Sequence, residues 1–386
     1  MKRYDYILAG GGLAGLSLAY YMNQSVLRNK SILIIDKEEK KKNDRTWCFW
    51  EKDLPSAFDP IVYRSWEKVM FFGSDNFEKK LDLGDYMYKW IRGIDFYDFV
   101  RTDLASNPNI TFLYTSIERI TDTADGGFVI TEEGQFIADY VFDSITPLAI
   151  DKDNRHNMLQ HFKGWEISTP HATFDPLCPT MMDYRVPQEG PGVRFCYVLP
   201  VDEHRAMVEY TVFSDKLLEP QDYVRELHSY IRDVLQITEF TIEAEEFGII
   251  PMTDEHPKTS KRNRVIRIGT SGGFVKASTG YAFVRTQRFT QQLVSQLLTV
   301  GKPLRRKRTL FQWFKNLLDS TLLNVLLKQR YSGKAVFTRL YKHNPTPRLL
   351  AFLDEQTSFW EDLKIMSTVP IAPFTKGMFD SLVRRF

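Results

Sequence analysis

The chain has 386 residues, 43% of them apolar and 26% charged, a globular composition with length for one large or two ordinary domains. A formal net charge of +2 supplies no global field for nucleic acid. The three cysteines, Cys48, Cys178 and Cys196, show no C-x-x-C spacing, so neither a disulfide framework nor a paired-thiol motif is expected and a reduced, cytoplasmic setting fits best.

Residues 4–22, YDYILAGGGLAGLSLAYYM, have the order strand, glycine turn, helix. A basic tip followed by an uncharged stretch is also what a signal peptide has, but three successive glycines break an apolar helix. Tyr6 to Ala9 form the predicted strand. Gly10, Gly12 and Gly15 give G-x-G-x-x-G, with Leu13 and Ala14 at the helix start. The strand 31–36 then ends in Asp36, about 20 residues beyond the glycines. Gly10 permits the tight turn, Gly12 lets a pyrophosphate approach the backbone, and Gly15 lets helix and strand pack closely. Phosphate charge is favoured at the helix amino end, and Asp36 can accept from ribose hydroxyls. The pattern predicts an adenine dinucleotide, NAD or FAD, and its position early in a long chain favours FAD. The lysine-rich stretch 37–45 reads as a solvated loop.

Residues 206–213 read AMVEYTVF. In a strand, Met207, Glu209, Thr211 and Phe213 share one face and Val208, Tyr210 and Val212 the other. Glu209 therefore lies among apolar neighbours, where an unpaired carboxylate is costly and tends to stay protonated. The alternative is a paired acid at a solvated sheet edge. Residues 263–289 repeat the strand–glycine–helix order. A strand over 265–268 runs into Gly269 and then Gly272 and Gly273, with a loop of small residues and a helix from about Tyr281. Such a loop can approach a flat ring with backbone alone. The stretch GKPLRRKR (301–308) precedes an amphipathic pattern in which Leu310, Phe311, Phe314, Leu317, Leu318, Thr321, Leu322 and Val325 recur at helical spacing. A basic cluster beside such a helix suits a membrane surface, and the alternative is a helix packed on the protein's own core. The histidines show no metal spacing, and no metal is predicted.

Together these segments resemble the flavin-dependent lycopene beta-cyclases of carotenoid-making bacteria. The carriers are YDYILAGGGLAGLSLA with ILIIDK, DRTWCFWEKDL (44–54), MMDYRV followed by YVLPVDEHRAMVEYTVFS, FGIIPM (247–252), and IGTSGGFVKASTGYAF. Three departures stand out. Where the family hairpin often has a second acid or a threonine close behind the first, this chain has Tyr210 and then Thr211, which speaks against a two-carboxylate hairpin. The usual Asp-Gly-Arg is FDSITP, which keeps only Asp143. The usual Gly-Asp of the flavin loop is Gly269-Thr270.

The resemblance implies an α/β fold: an FAD-binding Rossmann-like domain, a second mostly antiparallel β-sheet domain for substrate, and a helical C-terminal region. The expected boundaries are 1–60, 100–163 and 260–300 for the FAD domain, 61–99 and 164–259 for the substrate sheet, and 301–386 for the helices. It also implies a reaction: cyclisation of the psi-ends of lycopene to beta-rings, giving gamma-carotene and then beta-carotene. Reduced FAD is needed without net redox change, with NAD(P)H as electron donor. Glu209 is the implied acid. Thr279 and Gly280 join the cofactor residues through the Thr-Gly-Tyr loop. Aromatic faces stabilise cations, so Trp47, Phe49, Phe195, Tyr197, Phe213 and Tyr281 are the expected substrate wall, with core packing as the plain alternative for each. Linear carotenes, a membrane surface and no nucleic acid are the expected partners, at a peripheral position on the inner face of the membrane. Two rivals remain: an FAD-dependent monooxygenase or prenyl reductase of the same fold, and a non-catalytic carotenoid-binding flavoprotein.

Overall fold

The computed structural model describes residues 1–52, 56–151, 153–258, 260–305 and 309–383. Elements are numbered in chain order. The first sheet begins with β1 (Lys2–Ala9), whose apolar run Tyr6-Ile7-Leu8-Ala9 is buried on both faces, as expected of a central parallel strand. The turn after it leads into α1 (Leu13–Asn23) and back to β2 (Ile32–Asp36). A Cβ on Gly15 would overlap the Gly10 carbonyl oxygen, so helix and turn meet only because position 15 has no side chain.

A second sheet, of three strands, comprises β3 (Thr46–Glu51), β4 (Arg64–Trp66) and β7 (Met87–Arg92) in the order β3-β7-β4. Between them in sequence, β5 (Lys68–Phe72) and β6 (Glu78–Asp82) leave to join the edge of a third sheet. After α2 (Gly93–Leu104), β8 (Ile110–Tyr114) pairs in parallel with β2. The meander β9 (Ile117–Asp122), β10 (Gly127–Thr131) and β11 (Gly134–Asp143) then completes the far side of the first sheet. β11 runs parallel to β1, and its last residues also pair with β17 (Val265–Arg267).

The third sheet is built from β12 (Asn157–Ser168), β13 (Thr180–Asp183), β14 (Val193–Pro200), β15 (Arg205–Ser214) and β16 (Thr241–Thr253), in the order β16-β12-β15-β14-β13-β5-β6. Its pairings are antiparallel except β13 with β5. The boundary expected at residue 164 falls inside β12, because the pairing of β12 with both β15 and β16 is continuous through that residue. One face of this sheet, with Val208, Tyr210 and Val212, packs on α3 (Pro220–Ser229) through Tyr223 and Leu227. The other face carries Met207 and Phe213.

α4 (Phe283–Val300) follows β17 and packs against α1 with Val294 and Leu297 buried. The C-terminal region holds α5 (Leu310–Leu327), α6 (Gly333–His343), α7 (Thr346–Leu353), α8 (Phe359–Met366) and α9 (Ile371–Val383). From residue 315 onward the apolar stripe of α5 is mostly core: Leu317, Leu318, Leu323, Val325 and Leu326 are buried, while Leu310, Phe311 and Trp313 of its first turn are exposed. Among the described residues no helix is long and apolar enough to cross a membrane.

Candidate active site

The carboxyl ends of the parallel strands face the Met207 side of the third sheet, and a cavity of about 440 Å³ lies between them. This is where open α/β sheets bind ligands, and the size is that of a small-molecule site. Gly12, Leu13 and Ala14 border it at the amino end of α1, where helix N–H groups have no partner within the helix. Gly269 and Thr270 follow from the turn after β17, and Thr279, Gly280 and Tyr281 from the loop before α4. Gly10, Gly15, Gly272 and Gly273 shape these turns without lining the cavity. Asp36 also stands off it, accepting the Gly11 N–H at 2.6 Å and so holding the turn closed at the end of β2.

Asp143 is wholly buried at the end of β11. It accepts the N–H groups of Ile145 and Thr146, both at 3.0 Å, and pairs at 3.0 Å with Arg267. The arginine missing from the local motif thus arrives from β17.

The opposite wall comes from the third sheet. Gln160 and Phe162 of β12, Tyr197 and Leu199 of β14, Glu209 of β15 and Glu246 of β16 reach the cavity, and Trp47, Cys48 and Tyr88 close a third side. Glu209 is thus brought to the same space as the glycine turn. Strand alternation puts it on the face of Met207 and Phe213, as its sequence pattern predicts. Its Oε1 accepts the Thr211 hydroxyl at 2.6 Å, and among the described residues no cation pairs with it. Burial pushes its carboxyl up to about 8, against the smaller opposing pull of that hydrogen bond.

The phenols and the thiol around Glu209 are neutral. Burial holds the Tyr88 and Tyr197 phenols well above their ordinary range and pushes Tyr281 up to about 12. Burial likewise raises the Cys48 thiol.

Of the six aromatic side chains expected on a substrate wall, Trp47, Tyr197 and Tyr281 line the cavity. Phe49 stacks on Phe283 with ring centroids 4.4 Å apart. Phe195 is fully buried between Tyr184, Tyr197 and Phe213. Phe213 instead borders a separate apolar void of about 20 Å³, together with Trp50, Met181, Tyr281, Phe337 and Leu340.

Two further residues have no counterpart among the sequence candidates. Glu246 is buried, and its Oε1 accepts the Thr46 N–H at 3.1 Å; burial raises its carboxyl too. An acid beside the Gly-x-x-Pro stretch was the only signal for it. Lys276 anchors the ring-side loop. Its carbonyl accepts the Gly280 N–H at 2.9 Å, while its ammonium lies 2.8 Å from Asp319 of α5 and 2.7 Å from Glu355.

The cavity fits a large planar ligand. Gln160 Oε1 is buried without a hydrogen-bond partner. Gly280, at φ +75°, presents bare backbone against that same oxygen, where a Cβ would overlap it. Small residues and an orphan acceptor are what a ring system with its own donors would fill. Among the described residues no group of three His, Cys, Asp or Glu is placed to hold a metal.

The family model for lycopene cyclase protein matches residues 5–378. No curated protein matches the sequence. Solved structures share the fold at low identity. A flavoprotein/dehydrogenase from Cytophaga hutchinsonii is 11% identical, with 99% of this chain and 100% of that one covered and a TM-score of 0.64. A geranylgeranyl bacteriochlorophyll reductase-like protein from Thermoplasma acidophilum is 14% identical, covering 99% and 100%, with a TM-score of 0.61. A flavin-dependent halogenase from Xanthomonas campestris is 10% identical, covering 100% and 95%, with a TM-score of 0.60.

Proposed function

This chain belongs to the lycopene cyclase protein family, and we propose that it closes the psi-ends of lycopene into beta-rings, as an isomerase that binds FAD. The reading rests on one observation: Glu209 shares a cavity with the glycine turn, has no cation beside it, and is pushed up to about 8 by burial. A carboxyl group so placed is protonated at neutral pH and can protonate an alkene, which water-exposed acids do poorly.

The steps conserve atoms and electrons. Glu209 gives its proton to C2 of the terminal alkene, leaving a tertiary cation at C1. The C5–C6 double bond attacks that cation, and a proton leaves C6 to the Glu209 carboxylate. Trp47, Tyr197 and Tyr281 line the cavity, where aromatic rings stabilise a cation. FAD would be held by Gly12, Leu13 and Ala14 at its phosphates, on the turn that Asp36 fixes through the Gly11 N–H, and by Gly269, Thr279 and Gly280 at its ring. Bound in reduced form, with NAD(P)H as the electron source, it would supply negative charge near the cation without being consumed.

The substrate is a bilayer hydrocarbon, and we assign docking to an exposed apolar patch. Leu310 is 87% and Trp360 72% exposed, and Phe311, Trp313 and Phe359 lie near them. The ring contact of Phe314 with Phe359 joins the first turns of α5 and α8 into one surface. Lys302 and Arg305 precede it, and the remaining basic residues, 306–308, lie outside the described residues. A basic rim beside exposed Trp and Leu suits an anionic lipid surface.

The test is expression in a lycopene-accumulating host, with the pigments separated on a column. Monocyclic and bicyclic carotenes are expected, and unchanged lycopene beside flavin-loaded protein would refute the reading. The reductase-like and halogenase folds keep one rival open. A redox enzyme consumes NAD(P)H in step with product, whereas a cyclase turns over many substrates per flavin reduced.

A further inference from the structure

Resting on the cyclase reading, we propose that Glu246 is the second carboxyl of the acid site: the ionised partner that shares one proton with Glu209 and drives that proton onto the substrate. The geometry is set by Gly164 of β12. It pairs with Glu209 of β15 on one side and with Glu246 of β16 on the other. Residues directly opposite in adjacent antiparallel strands point to the same face, and both glutamates line the one cavity. Two strand spacings put their Cα atoms roughly 10 Å apart, within reach of two extended glutamate side chains leaning together. Position 164 carries no side chain to separate them: a Cβ there would lie 3.6 Å from Glu209 Cβ and 3.0 Å from Met207 Sδ.

The partners of the two carboxyls differ, and this decides where the proton sits. Glu209 has only a threonine hydroxyl. Burial raises the Glu246 carboxyl as it does that of Glu209, but Glu246 also accepts a backbone N–H and has Arg45 close enough to favour its ionised form. The other groups facing the pair leave this assignment intact. Lys40 is bound to Glu38 and Asp44. Asp44 opposes Arg45 weakly, as the least of the influences on Glu246. Cys48 on β3, Tyr88 on β7, Tyr197 on β14 and Tyr281 are held neutral. Lys163, next to Gly164, points to the other face and pairs with Glu245 at 2.6 Å.

The chemistry follows. While Glu209 is protonated the pair carries one negative charge. When its O–H bond breaks and the C2–H bond forms, the pair carries two negative charges facing one carbocation, an arrangement that stabilises the cationic stage. Loss of the C6 proton to the Glu209 carboxylate restores the starting state, because two carboxylates in one buried cavity repel and one of them takes the proton back.

The test titrates the pair directly. FAD-loaded native protein, Glu246→Gln, Glu246→Asp and Glu209→Gln are followed by the infrared carbonyl band of protonated carboxyl groups as pH is raised, and by the alkaline limb of cyclisation in lycopene-loaded vesicles. In Glu246→Gln both midpoints are expected to fall by about one pH unit, with FAD still bound, and Glu246→Asp should restore them. Coupling is reciprocal, so Glu209→Gln should lower the midpoint of Glu246. An unchanged midpoint in Glu246→Gln overturns the inference, and should that variant not fold, an unchanged Glu246 midpoint in Glu209→Gln does so. Failure of the cyclase reading looks different: native, FAD-loaded protein would leave the lycopene in the vesicles unchanged, whatever the infrared midpoints do.

Discussion

Glu355 and Glu209 are both partly buried glutamates, one near the helical region and one in the third sheet. Glu355 has the Lys276 ammonium at 2.7 Å and the Arg285 guanidinium at 3.0 Å. Its carboxyl is driven down to about 2, the two cations outweighing the effect of burial. Glu209 has a threonine hydroxyl and no cation, and goes the other way, to about 8. Burial raises both; what separates them is the company each keeps. Among the described residues, Glu355 is paired where it ties the helical region to the loop before α4, and Glu209 has no cation where we propose that a proton is handed over.

The largest break of this contrast is Glu209→Gln. The amide keeps the shape and removes the acid, so cyclisation should fall by about 10²–10⁴-fold while FAD fluorescence and retention on purification stay as in the native protein. Full turnover would show that the acid lies elsewhere.

Lys276→Met attacks the paired side. It leaves Asp319 and Glu355 short of a cation in a buried setting, which should cost about 3 kcal/mol in denaturant unfolding. It should also loosen FAD, because the Lys276 backbone carries the loop of Thr279 and Gly280.

The two glutamates should give opposite pH signatures. Glu355 has a folded value below its ordinary 4.5, so its contribution is present above about 4.5 and is lost as pH falls towards 2. Glu209 has a folded value above 4.5, so its contribution is present below that pH and is lost as pH rises through about 8. In thermal melts from pH 2 to 9, Glu209→Gln should therefore gain on the native protein towards alkaline pH, by a few degrees, whereas Glu355→Gln should lose most above about 4.5 and least as pH falls towards 2. His161, buried and pushed down to about 4, adds to the acid-side loss between about 6.5 and 4 in every variant.

Thr211→Val is the smallest change. It removes the one hydrogen bond favouring ionised Glu209, a contribution of about 1 kcal/mol. The alkaline limb of the cyclisation profile should move up by less than one pH unit, and a downward move would mean that the hydroxyl serves the protonated form.

Local pattern carried much of this. The glycine turn, the acid ending β2 and the facing of Glu209 follow from spacings within a dozen or two residues; the structure brings the turn and Glu209 to one cavity, with Asp36 holding the turn from outside it. Glu246 was hidden because it is one of three glutamates in β16, at 243, 245 and 246, and only 246 is buried. What selects it is pairing across β12, with a register shift between Glu166 and Ile167 that strand alternation alone does not foresee. The aromatics were legible as large and apolar but not by direction. Phe195 and Phe213 turn into the packing under α6, the latter with Phe337 at 6.4 Å, while Tyr197 reaches the cavity. The stripe of α5 was likewise legible as amphipathic, and its partner, the protein's own core for all but the first turn, was not.

Lys276 joins a loop at the mouth of one fold layer to acids on two segments of another. Exchanging tail segments between relatives would therefore not be a neutral graft. A transplanted terminus lacking counterparts of Asp319 and Glu355 would strand an ammonium ion beneath the ring-side loop, and the two halves of such a hybrid would have to be chosen together.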